Sequence, residues 1–178
     1  LRETEINWFY QEGCSYIYPD KWEDYIQVIE KKDRKNLLQA YYKKLTSPHK
    51  LIRLQAAKAW SKWEASTSKL IPEKKSLHHF DNDKVAEAFA RIECHYFINK
   101  GFFKSDGWIL DNIKRIKNIP NIIIQGRYDV VCPMKSAWEL HQKWENSNLI
   151  VIDDAGHSML EKGIQNKLIE YTDEFIKY

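Results

Sequence analysis

The sequence predicts an α/β protein in which parallel sheet strands with flanking helices follow an all-helical region, and three observations carry that prediction. The run Ile119 to Gln125 is β-branched and almost continuous, the pattern of a strand buried on both faces. Leu149 to Ile152 repeats it after a helix-like stretch, which makes one βαβ unit. Each run then ends on a glycine-led loop that carries chemistry, Gly126-Arg127-Tyr128-Asp129 after the first and Gly156-His157-Ser158 after the second. A right-handed crossover brings consecutive parallel strands together, so Asp129 and His157 are expected at the same carboxyl edge, where α/β proteins build their sites.

The elements before Ile119 read as helices. Trp22 to Ile29, Arg34 to Leu45 and Leu51 to Glu64 carry apolar residues three and four positions apart, separated by Lys32-Asp33 and by Thr46-Ser47-Pro48. Residues 65–82 are polar, contain Pro72 and the pair His78-His79, and read as a loop. A further helix is expected from Asp83 to Asn99, followed by Gly101, an aromatic pair and a short helix that ends near Lys117. From Ile119 the order is strand, loop, helix, strand, loop, helix, the last from Gly163 to Tyr178. Two regions result: a mostly helical one over residues 1–117 and a βαβα one over residues 118–178. Parallel sheets are covered on both faces and normally have more than two members. Further strands are therefore expected before Leu1, and the lack of an initiating methionine points the same way.

Composition narrows the partners. The chain has 178 residues and a net charge of +3, with lysines scattered among acidic residues and no basic block of the kind that follows a phosphate backbone. Nucleic acid is not an expected partner. No apolar stretch reaches the ~20 residues that span a bilayer, and none resembles a signal peptide, so no membrane association is expected. Three widely separated cysteines, Cys14, Cys94 and Cys132, fit free thiols in a reducing compartment, with the cytoplasm as the expected location.

An acid that orients a histidine is two thirds of a nucleophilic triad. The remaining third, a serine on a G-x-S-x-G elbow, precedes the acid and the histidine in α/β-hydrolase order, and these residues contain no such elbow. Taken alone, Asp129 could cap a loop and His157 could be a surface histidine. Five blocks bear on the choice: Trp8-Phe9-Tyr10-Gln11-Glu12-Gly13; Ala56-Ala57-Lys58-Ala59-Trp60-Ser61 with Trp63-Glu64; Ala88-Phe89-Ala90-Arg91-Ile92-Glu93 with His95-Tyr96-Phe97; Gly126 to Pro133; and Gly156-His157-Ser158. In these blocks, and nearly end to end, the chain resembles the proline iminopeptidases (prolyl aminopeptidases), α/β-hydrolases with a helical cap inserted in the sheet. The resemblance implies the cap and the C-terminal part of that fold, with the nucleophile in a preceding half that the activity requires. It also implies release of an N-terminal proline from peptides through a serine acyl-enzyme, without metal or organic cofactor.

Carried over by position, Asp129 matches the triad acid, and His157 matches the general base and acid. Glu64 and Glu93 match two glutamates that hold the substrate's free α-amino group, a task suited to charge-assisted hydrogen bonds from a terminal cation. Most glutamates in lysine-rich helices are simply solvated, which is the competing reading of Glu64. Glu93 lies among apolar and aromatic residues and calls for a cationic partner, whether substrate, Arg91 or a neighbouring lysine. Phe9 and Tyr10 match an aromatic wall around the proline ring, or are plain core. Arg127 and Tyr128 are expected to brace the acid loop. Gln125, Cys94 and Ala65 depart from the histidine, asparagine and glycine that the family usually has at these positions.

His78, His79 and His95 with Cys94 lack the paired spacing of a zinc site. Cys132 lies just past the acid without a base of its own and is expected to be a buried, inert thiol. Two rival functions remain. Another capped α/β-hydrolase, an esterase or an amidase, would not need two cap glutamates. A non-catalytic module that pairs its half-sheet with a separate chain would expose strand edges that invite aggregation.

Overall fold

A computed structural model describes residues 1–72 and 79–176. The chain divides into two compact units, Leu1–Thr67 with Pro72–Asp106, and Ser68–Ile71 with Gly107–Tyr178.

The first unit is helical: α1 Glu3–Tyr10, α2 Pro19–Ile26, α3 Leu37–Leu45, α4 Lys50–Thr67 and α5 Asp83–Ile98. Helix α1 was not among the expected elements. Glu5 closes its first turn by accepting from the Arg2 N–H at 2.9 Å, which supplies the start signal. Helix α2 begins three residues earlier than the apolar spacing indicates because Pro19 occupies its first position, where a missing N–H costs nothing. It also ends at Ile26, leaving Ile29 buried outside it. Residues 34–36 belong to a 3₁₀ segment, Lys31–Asn36, and α3 starts at Leu37 because the Asn36 side chain accepts from the Gln39 N–H. Likewise, Asn82 caps α5 by accepting from Lys84 and Val85.

Helix α4 is the centre of this unit and contacts α2, α3 and α5. Its buried Ala56, Ala57, Trp60, Ser61, Trp63 and Glu64 recur three and four apart. Ala86, Ala90 and Cys94 form the matching stripe on α5, and small residues on both helices let the backbones approach. The helix continues through Ala65, Ser66 and Thr67, which were expected in the loop. The Ser66 and Thr67 hydroxyls each donate to the Trp63 carbonyl at 3.0 Å, so these polar residues are satisfied inside a buried last turn. The remainder of the expected loop falls partly on residues 73–78, His78 included, which lie outside the described residues.

In the second unit, a short helix α6, Trp108–Asp111, and a 3₁₀ turn, Ile113–Arg115, lead to strand β1, Asn121–Gly126. Helix α7, Met134–Lys143, connects it to β2, Ser147–Ile152, and α8, Lys162–Phe175, closes the chain's described part. The strands are parallel, with Gly126 opposite Ile152 at their carboxyl ends. Ile122, Ile123, Ile124 and Ile150 were expected to be buried on both faces but are half-buried, because among the described residues the sheet has two strands; Ile152 is buried, in a cluster with Ala155 and Ile164. Gly126 is required here by close approach. A Cβ at this position would lie 1.9 Å from the Gly156 carbonyl oxygen.

Candidate active site

Strand β1 delivers Asp129 through a turn in which the Asp129 N–H donates to the Gly126 carbonyl. The loop after β2 is laced to it, because the N–H of Arg127 donates to the Ile152 carbonyl and that of Tyr128 to the Ala155 carbonyl, both at 2.9 Å. This brings the two glycine-led loops side by side, and the histidine meets the acid: His157 Nδ1 is 2.9 Å from Asp129 Oδ2. A carboxylate only accepts, so the shared proton is on Nδ1 and Nε2 is left to receive a proton from elsewhere.

Asp129 is buried, at 8% exposure, and would be costly there without partners. It has four. Oδ1 accepts from the N–H groups of Val131 at 3.0 Å and Cys132 at 2.7 Å. Oδ2 accepts from His157 and from the Gln125 side-chain amide at 3.0 Å. The imidazole itself is partly exposed, its side chain at 39%. Burial pulls the His157 pKa down, but hydrogen bonding to Asp129 and to the Cys132 side chain outweighs it and lifts the pKa to about 10.

The histidine loop is held by residues that sequence reasoning did not single out. The Ser68 carbonyl accepts from both His157 and Ser158 N–H groups, at 3.0 and 2.8 Å. Glu161, at the N-terminus of α8, accepts from the Gly156 N–H at 2.9 Å and from the Leu70 N–H at 3.3 Å. A glutamate three residues after Ser158, at the start of a helix, was the available signal. The contact with Leu70 spans 91 residues of sequence, and no local pattern announces it. Arg127 and Tyr128 are exposed, and Arg127 Nε lies 3.3 Å from an Asp153 oxygen. Cys132, expected to be buried, is exposed: its N–H is tied to the Asp129 carboxylate, and its side chain hydrogen-bonds to His157.

The other residues implied by resemblance lie in the helical unit. Glu64, on α4, is 6% exposed and accepts from the Tyr10 hydroxyl. Glu93, on α5, accepts from Trp60 Nε1 at 2.9 Å. Tyr10 stacks on Trp60 with ring centroids 4.4 Å apart, and Phe9 meets Tyr10 edge-on at 4.7 Å. Burial raises the Tyr10 pKa well above its ordinary value, and the negative charges of Glu64 and then Glu93 raise it further, so both carboxylates act on one phenol. Helix geometry explains the convergence, since Trp60 and Glu64 are one turn apart on the same face of α4. Chemically, two carboxylates beside aromatic faces suit a small organic cation. Glu64, Glu93, Phe9 and Tyr10 thus gather in one unit, and Asp129 and His157 in the other.

Among the described residues, no group of three or more His, Cys, Asp or Glu is arranged to hold a metal ion. Cys94 is buried, and burial together with Glu93 pushes its thiol up to about 12, out of nucleophilic range. No helix of the described residues is long and apolar enough to cross a membrane.

A family model described as the alpha/beta hydrolase fold matches residues 12–164. The chain is 55% identical over 176 residues to a probable proline iminopeptidase of Leptolyngbya boryana, covering 99% of this chain and 55% of that protein. It is 48% identical over 170 residues to the proline iminopeptidase of Arabidopsis thaliana, covering 95% and 45%. It is 36% identical over 177 residues to that of Neisseria gonorrhoeae, covering 98% and 55%. The chain spans about half the length of the curated relatives it matches.

Proposed function

The chain belongs to the α/β-hydrolase fold family, and from that premise we propose that it is the cap and C-terminal part of a serine aminopeptidase that releases N-terminal proline from peptides. The observation that carries the reaction type is the hydrogen bond of His157 Nδ1 to a buried Asp129 saturated with donors. The names of the relatives support the substrate class. The buried Glu64 with Glu93 fits the same substrate class, because an exopeptidase must read a terminal ammonium.

In this reading, the preceding segment of the gene product supplies a serine. His157 Nε2 takes the hydroxyl proton as Oγ attacks the carbonyl carbon of the first residue, and Asp129 stabilises the imidazolium that forms. The imidazolium then protonates the leaving amine as the peptide bond breaks, leaving a prolyl ester on the serine. Water, deprotonated by the same imidazole, attacks that ester, and proline departs as the serine regains its proton. Glu64 and Glu93 hold the substrate's ammonium, and Phe9 and Tyr10 form the apolar side of the proline site. The cytoplasm is the compartment we propose, on the three free cysteines.

Release of arylamine from proline 4-nitroanilide by the full gene product tests this. His157→Ala is expected to lower kcat by at least about 10³-fold. Glu64→Gln is expected to lower kcat/KM by about tenfold or more, because it removes a charge that binds a cation. Turnover of a simple ester that survives Glu64→Gln unchanged, with no proline arylamidase activity, would replace this reading with a capped esterase.

A further inference from the structure

We propose that Gln125 is a positioning residue, whose side-chain amide fixes the Asp129 carboxylate in the orientation that His157 needs. The inference rests on the function proposed above for Asp129 and His157 and adds a third member to that pair.

Gln125 is the polar residue that follows Ile122, Ile123 and Ile124 in β1, one position before the strand ends at Gly126. Its Nε2 lies 3.0 Å from Asp129 Oδ2 and 3.1 Å from the Cys132 carbonyl oxygen. Both neighbours are acceptors, as is the more distant Gly126 carbonyl at 3.5 Å, so the amide must present its NH₂ group to them, and its two hydrogens serve the two shorter contacts. The result is a closed ring. Asp129 Oδ1 holds the Cys132 N–H, the Cys132 carbonyl holds Gln125, and Gln125 holds Asp129 Oδ2. Three of the four donors on Asp129 come from the β1 strand and its turn, and the fourth is His157 itself.

The contact has two consequences, because it falls on the oxygen that faces the imidazole. It blocks rotation of the carboxylate about its last bond, which keeps Oδ2 aimed at Nδ1. It also draws off part of the charge on Oδ2, which limits how strongly the carboxylate favours the imidazolium. Neither consequence needs contact with substrate. The titratable side chains acting on His157 are Asp129 and Cys132, while Glu161 is engaged by the Gly156 and Leu70 backbone.

The test uses the full gene product, parent and Gln125→Met, which keeps the length of the side chain and removes both donors. The His157 titration is followed by imidazole NMR, and turnover of proline 4-nitroanilide is followed beside it. In Gln125→Met the Val131 and Cys132 N–H groups still hold Oδ1, so the charge returned to Oδ2 outweighs the lost restraint: the titration midpoint is expected to rise by about half a pH unit, the acid limb of kcat/KM to follow it, and kcat to fall about tenfold with KM nearly unchanged. Should Gln125→Met not fold, Gln125→Asn withdraws the same amide by one methylene and is expected to act in the same direction. An unmoved His157 midpoint in a folded variant overturns the proposal whatever the turnover. A parent that turns over no proline arylamide defeats the peptidase reading, while the NMR titration still decides the role of Gln125.

Discussion

At the scale of single residues, the pairing of His157 with Asp129 sets the pH behaviour of the mechanism proposed above. A general base must be neutral to accept the serine proton, so the rate rises as the imidazole loses its own. Burial lowers the His157 pKa, but the bond to Asp129 and the contact with Cys132 raise it more, to about 10. Raising the pKa extends the protonated, inactive form to higher pH. The acid limb of kcat/KM for proline 4-nitroanilide is therefore expected to have its midpoint above the ordinary histidine value of about 6.5. A midpoint at or below 6.5, measured over pH 5–10, would mean that Asp129 does not dominate the imidazole in the working enzyme. Legibility at this scale was uneven for a physical reason. Asp129 and His157 could be placed from the sequence because each follows a glycine at the end of an apolar run. The donors that make Asp129 tolerable could not, since an N–H of Val131 or Cys132 carries no signature of its own.

At the scale of elements, the site depends on two loops that share almost no free space. Gly126 ends β1 against the Ala155-Gly156 backbone, and any side chain there would meet two carbonyl oxygens, at 1.9 and 2.7 Å. Backbone atoms cannot yield as a flexible side chain can, so Gly126→Ala must push the histidine loop away from the acid loop. The expected outcome is at least about tenfold lower kcat, with destabilisation on the order of 1–3 kcal/mol measured by urea unfolding. Parent-like activity and stability would show that the loops have slack. The same contact explains which element limits the sequence could give. The carboxyl ends of the strands and both chemistry-bearing loops are set by local glycines and β-branched runs and were readable, whereas β1 starts at Asn121 and β2 at Ser147, two residues after and two before the starts of the apolar runs. Helix α4 runs past Glu64 because Ser66 and Thr67 bond back to Trp63, and Ser68 and Glu161 matter through partners 89 to 91 residues away. Pattern reasoning over a window of one helix length does not reach such pairs.

At the scale of the whole chain, burial is unequally shared. The helical unit encloses Trp60, Trp63, Tyr25, Tyr41, Phe9, Leu37 and Leu45 almost completely, and its aromatic rings contact one another across α1, α2, α3 and α4. Among its described residues, the second unit buries only smaller apolar residues, Ile113, Ala137, Ile152, Ala155 and Ile164, with Ile124, Ile150 and Leu168 half-covered around the last three. Apolar burial is the main term opposing conformational entropy, so the second unit has much less with which to resist local opening. Native-state hydrogen exchange of the 178-residue chain is therefore expected to be slowest for interior amides of α4 and α5. Amides of β1 and β2 are expected to exchange at least about tenfold faster, since each 1.4 kcal/mol of opening free energy is a factor of ten. The proposed preceding half would add strands and helices to this sheet, so the full gene product is expected to gain protection selectively in β1 and β2, with α4 and α5 changing little. Equal protection of strands and helices in the 178-residue chain would mean that the two-stranded sheet is self-sufficient. In that case the proposal of a preceding half would rest on the serine it is proposed to supply and no longer on stability.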